Sequence, residues 1–210
     1  TFNPYPFYSW LRDHQPLFWD KKNEFWAVSR YDDIVFVSRR TDLFCNKEGV
    51  IPNLGTDIWP DEAMINLDGK EHSCQRGLVA KGFSPRRIEQ MEDQIRAIAH
   101  ELIDSFAAKG SADLVQDFAR PLPFKVISRM LGYPEGVDEL LDWTDIYTHA
   151  GCGPDHITED VSEAFTNFSM FHFDLLEEKK ASRGDDLLSI WLDAELDGQR
   201  LSEDKLLYEH

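Results

Sequence analysis

From Pro85 to Gly110 the apolar residues Ile88, Met91, Ile95, Ile98, Leu102 and Phe106 recur at three- and four-residue spacing. That period lays a single apolar stripe along a helix of several turns. Pro85 suits a first helical turn and Gly110 a stop. A second stripe follows at residues 158–180, with Val161, Phe165, Phe168, Leu175 and Leu176 inward. Two long one-faced helices must bury their stripes against other elements, which points to a mainly helical packed domain.

The shorter segments agree with that class. Residues 3–14 read as an amphipathic helix with Phe7, Trp10 and Leu11 on one side. Leu17 to Asp20 and Glu24 to Ser29, split by Lys21-Lys22-Asn23, read as a β-hairpin. Tyr31 to Arg40 reads as a helix with Ile34, Val35 and Val37 inward. Asp68 to Gly82 is a helix opened by an Asp-x-x-Glu variant of the capping box, Asp68 with Glu71. Ala112 to Val115 reads as a strand, and 118–131, 137–149 and 185–194 as helices. The expected fold class is mainly α, with a small β sheet near the N-terminus. The chain opens at Thr1, and Ser202 with Glu203 and Asp204 starts a helix close to His210. Both ends therefore read as cut from a longer protein.

Residues 45–66 differ from the rest. Gly49, Pro52, Gly55 and Pro60 punctuate a stretch that still carries Val50, Ile51, Leu54, Ile58, Trp59, Met64 and Ile65. A long loop so rich in apolar side chains is expected to cover something.

Composition narrows the function. The 210 residues hold 14 Phe, 6 Trp and 6 Tyr, enough apolar surface to argue against disorder. Acidic residues outnumber basic ones by 39 to 22, a formal charge of −17, which argues against sequence-independent nucleic-acid binding. No run is long and apolar enough to span a membrane, and no signal segment opens the chain. Cys45, Cys74 and Cys152 are odd in number and far apart, as in a reduced, cytoplasmic protein. His100, His149, His156 and His172 lack metal-ligand spacing, and no phosphate-binding glycine loop occurs.

His72 and Arg76 stand four apart on the helix that follows the apolar loop, and so share one face. Two donor groups at that spacing can grip an anionic group such as a carboxylate or phosphate. Around them, Lys70, Arg76, Lys81, Arg86 and Arg87 stand against Glu71 alone, a basic strip on an acidic chain. Such a strip can steer an acidic partner.

The stretch from Met64 to Arg87 resembles the C-helix region of bacterial cytochromes P-450. An Asp, a Glu-His pair, an Arg four after the His, a Leu-Val pair and a Phe-Ser-Pro-Arg ending stand here as Asp68, Glu71-His72, Arg76, Leu78-Val79 and Phe83 to Arg86. The resemblance implies that His72 and Arg76 bind haem propionates. Gly77 stands where the family often has a second Arg. The resemblance runs along the chain. It takes in Asn3-Pro4-Tyr5-Pro6, Phe25 to Tyr31, Asp42 to Asn46, Asp113 to Gly132, Asp185 to Leu188 and Asp197 to Ser202. The turn before the helix, Met64 to Asp68, is most similar to actinobacterial members acting on sterol side chains.

This resemblance implies the N-terminal part of one cytochrome P-450 domain, residues 1–210 from the A helix to the start of the I helix, without a separate second domain. No Glu-x-x-Arg occurs, and none of the three cysteines lies in a Phe-x-x-Gly-x-(His/Arg)-x-Cys-x-Gly loop. The iron-ligating Cys is therefore expected beyond His210, with no catalytic residue and no metal ligand within the chain, which alone should be inactive. The implied cofactor is haem b (iron protoporphyrin IX), with electrons from NAD(P)H through ferredoxin reductase and ferredoxin. The loop then roofs the substrate pocket, with Ile51, Leu54, Ile58, Trp59, Met64 and Ile65 as candidate contacts for a lipophilic substrate. Lys70, Lys81, Arg86 and Arg87 become the face for an acidic ferredoxin. The competing expectation is a non-catalytic helical module that holds a lipophilic ligand or an acidic protein.

Overall fold

The computed structural model describes residues 3–50, 63–148, 156–195 and 198–207. The chain divides into two compact units, Thr1–His72 and Ser73–His210.

In the first unit, helix α1 (Tyr5–His14) leads into strands β1 (Leu17–Asp20) and β2 (Phe25–Val28). The strands pair antiparallel with Trp19 opposite Trp26, whose rings lie 5.1 Å apart. The Asp20 carboxylate accepts the main-chain N–H groups of Lys22 and Asn23 and so forms the hairpin turn. Helix α2 (Tyr31–Arg39) follows. Val35 and Val37 are half-buried, but Ile34 is exposed, contrary to its expected inward place. A 3₁₀ turn at Met64–Asn66 leads to helix α3 (Gly69–Val79). Gly69 enters that helix at φ +58°, a left-handed conformation that glycine adopts without penalty.

The second unit continues α3 through a 3₁₀ turn, Ala80–Phe83, into α4 (Pro85–Gln90) and α5 (Glu92–Ala107). The stripe expected on one long helix is therefore shared by two. They part at Met91, whose N–H bonds to the Ile88 carbonyl at 3.1 Å and tightens the turn. Ile98 and Leu102 are buried as the spacing requires. The expected strand at 112–115 does not form. The Asp113 carboxylate takes the N–H groups of Val115 and Gln116, diverting the backbone from a strand ladder into a turn and a π-helical segment, Val115–Ala119.

Helices α6 (Pro121–Leu131), α7 (Glu139–Thr148), α8 (Glu159–Ala181), α9 (Leu187–Asp193) and α10 (Glu203–Leu207) complete the unit. The core gathers Leu78 and Val79 of α3 with Leu131, Leu175, Leu176, Leu187, Leu188, Trp191 and Leu206. Lys179 and Asp186 form a nearly buried ion pair at 2.9 Å between α8 and the start of α9. Asp186 also caps α9 by accepting the Ser189 N–H. Of the three cysteines, Cys45 is exposed and Cys74 half-buried, both as free thiols. No helix among the described residues is long and apolar enough to cross a membrane.

Candidate functional site

Helix α3 carries the pair singled out by spacing. His72 is half-buried and Arg76 exposed, four apart on one continuous helix and hence on one face. Neither side chain enters an ion pair with another described residue. The helix is seated by the buried Gln75 and Val79, which flank that face, and by the buried Leu78 behind it.

The C-terminal end of α3 is anchored within the second unit. The Trp191 indole N–H donates to the Val79 carbonyl, one of the terminal carbonyls that an α-helix leaves unsatisfied. The Lys81 ammonium donates to the Glu195 main-chain carbonyl, and the Cys74 thiol to the Gln199 side-chain oxygen at 3.1 Å. Gly82 lies against Leu187 and Trp191 so closely that a Cβ would stand 2.4 Å from the Leu187 side chain.

At the other end of α3, the Asp68 main-chain carbonyl accepts the His72 N–H at 3.3 Å, the first bond of the helical turn. Its carboxylate accepts the N–H groups of Asn46 at 2.8 Å and Lys47 at 3.1 Å. The residue expected only to cap the helix thus also reaches back across the loop. Capping preference is a local signal, and nothing in the sequence near Asp68 marks a partner 22 residues away.

Of the candidate substrate contacts, Ile51, Leu54, Ile58 and Trp59 lie outside the described residues. Met64 is half-buried and Ile65 is exposed, on a turn seated by the buried Ala63 and Asn66. Of the basic strip, Lys70 is exposed in the first unit, and Lys81 and Arg86 are exposed in the second. Arg87 is half-buried and bonds through both Nη atoms to the Asp185 carboxylate and carbonyl, so its charge is largely neutralised.

A polar pair that spacing did not reveal lies between α6 and α8. His172 is buried, and its Nδ1 meets the Phe168 carbonyl at 2.7 Å. A carbonyl only accepts, so Nδ1 carries the hydrogen and Nε2 receives the Tyr133 hydroxyl. Burial pushes the His172 pKa down to about 4 and raises that of Tyr133. Phe165 and Phe168 pack on Tyr147, and Phe171 packs on Tyr133 and His172. These phenylalanines form an aromatic core of the second unit. Helical spacing shows that they share a region of α8 but not which elements they meet.

No protein-family model matches the chain. Individual proteins do. The chain is 35% identical over 208 residues to a steroid C26-monooxygenase of Mycobacterium tuberculosis, an alignment covering 96% of this chain and 50% of that protein. Its structure superposes on substrate-free CYP109E1 from Bacillus megaterium with a TM-score of 0.83 at 26% identity, covering 98% of this chain and 55% of that one. Against the same protein in complex with testosterone the TM-score is 0.78 at 27% identity, covering 98% and 52%. The chain spans about half the length of the curated relatives it matches. The sequence match, the superposition and the α3 motif agree: the chain belongs to the cytochrome P-450 family.

Proposed function

We propose that this chain forms the N-terminal part of a single haem-binding domain, in a monooxygenase that hydroxylates an apolar small molecule. The observation that carries the reading is the His72 and Arg76 pair, on one face of α3 and without an ion pair among the described residues. Haem propionates are carboxylates, and this donor set fits them. When bound, haem supplies activation of O2 and insertion of one oxygen atom into a C–H bond. The residues of this chain hold and shape the site. Arg76 and His72 satisfy the propionate charge, and Met64 and Ile65 offer apolar contact to substrate. Ile51, Leu54, Ile58 and Trp59 complete that apolar set in the proposal.

The substrate proposed is of the steroid class. The name of the mycobacterial relative and the testosterone complex of the Bacillus protein support it. Electrons come from NAD(P)H through ferredoxin reductase and an acidic ferredoxin that docks on the basic strip. Lys70 and Arg86 are exposed and enter no ion pair with a described residue, Lys81 donates to the Glu195 carbonyl, and Arg87 is paired with Asp185. Such a protein works in the bacterial cytoplasm.

Arg76→Ala in the intact protein tests the reading. Haem content per protein and the ferrous–CO thiolate band should both fall, because one propionate loses a charged partner. Wild-type haem content in that variant would overturn the role of Arg76. Absence of a thiolate band from the intact wild-type protein would overturn the monooxygenase reading.

A further inference from the structure

Asp68 makes bonds in two directions. Its main-chain oxygen holds the His72 N–H, and its carboxylate holds the N–H groups of Asn46 and Lys47. Both side-chain bonds converge on one oxygen, Oδ2, and bonds to a charged acceptor are about twice as strong as neutral ones. The carboxylate also sits at the positive end of α3, where negative charge is favoured.

The segment it grips is itself anchored. The Leu43 and Phe44 N–H groups both bond to the Arg40 carbonyl at 2.9 Å, just past the end of α2. Phe44 packs edge-on against Phe36 of that helix. Asn46 then uses its carbonyl to accept the Gly49 N–H at 2.8 Å, closing a turn in which Gly49 takes φ +99°. One carboxylate thus joins a segment fastened to α2 with the first turn of α3, across a 22-residue separation. Met64 and Ile65 stand directly before it.

We propose that Asp68 is a positioning residue for substrate binding. It clasps the Asn46–Lys47 segment to the helical turn that presents His72, and so fixes where Met64 and Ile65 stand against α3. The role rests on the reading of this chain as part of a haem monooxygenase. It goes beyond it in assigning to Asp68 neither haem binding nor chemistry. Without the clasp, the ends of a long apolar segment spread over more conformations, and substrate must bear the entropy of ordering them.

The test compares wild type, Asp68→Ala and Asp68→Asn in the intact haem protein. Amide hydrogen exchange at Asn46 and Lys47 reads the clasp itself and needs no haem. Testosterone, followed by the shift of the haem absorbance, reads substrate affinity, and haem content per protein is measured alongside. Asp68→Ala should speed exchange at Asn46 and Lys47 and weaken testosterone binding about tenfold, with haem content unchanged. Asp68→Asn keeps an acceptor oxygen and should recover most of both losses. Unchanged exchange in Asp68→Ala would overturn the clasp. Faster exchange with unchanged affinity would overturn the positioning role, as would a parallel loss of haem, which would make Asp68 merely structural. A wild-type protein that takes up no haem overturns the functional reading and the positioning role with it. That case is recognised because the exchange difference between wild type and Asp68→Ala then persists alone.

Discussion

The indole N–H of Trp191 donates to the main-chain carbonyl of Val79 at 3.0 Å, and both residues are buried. Through this bond α9 completes the C-terminal turn of the helix that carries Arg76. A buried carbonyl left without a partner costs about 1–3 kcal/mol. Trp191→Phe removes the donor together with part of a buried ring, so lost packing adds to the lost bond. It should lower unfolding stability by about 1–3 kcal/mol, read from chemical denaturation. A variant as stable as wild type would show that the bond contributes nothing.

Gly132 ends α6 at φ +79°, and a Cβ added there would stand 2.7 Å from the Asp186 carboxylate. Space and backbone therefore forbid the same substitution for two reasons. Gly132→Ala should destabilise the protein by about 2–4 kcal/mol, through left-handed strain and displacement of Asp186 from Lys179. Thermal unfolding measures it. A change within about 0.5 kcal/mol, the usual range for a surface substitution, would refute the crowding.

Acid should weaken the second unit through His172. The folded state holds its imidazole neutral, with a pKa lowered to about 4, whereas the unfolded chain titrates near the ordinary 6.5. Below 6.5 the unfolded state binds the extra proton. Stability from this group is complete above pH 6.5 and is lost as pH falls through 6.5 toward 4. The loss approaches about 3 kcal/mol. His172→Gln removes the titrating group and should flatten this part of the stability–pH curve. An unchanged slope between pH 6.5 and 4 would show that other groups dominate it.

Charge reversal should separate the free and the engaged cations of the basic strip. Arg86 is exposed and enters no ion pair with a described residue, whereas Arg87 is bound to Asp185 at 2.7 Å. Arg86→Glu should slow reduction by an acidic ferredoxin several-fold at low salt and little at high salt, leaving the melting temperature in place. Asp185→Asn frees Arg87 and should not slow reduction. Stopped-flow reduction across ionic strengths checks both. Equal rates for wild type and Arg86→Glu at low salt would remove Arg86 from the proposed docking face.

Legibility followed the range of the forces involved. The helices at 5–14 and 159–181, the hairpin, and the helix that sets His72 and Arg76 on one face can be read from sequence, since periodicity and turn chemistry act over a few residues. The same local signals misread residues 112–115. There a short apolar run is overruled by the Asp113 carboxylate, which competes for two backbone N–H groups. They also missed the interruption at Met91, which the apolar spacing runs straight through.

What sequence alone determined was the helical class, the family resemblance and the placing of His72 and Arg76 on one helical face, because each is written in neighbouring side chains. Tertiary structure decided the rest. It set which cations stay free, with Arg87 taken up by Asp185. It made Trp191 the partner of Val79, and it gave Asp68 its hold on Asn46 and Lys47. Each of these bonds joins residues far apart in the chain. A hydrogen bond depends on distance and direction in space, and the packing of apolar faces sets both.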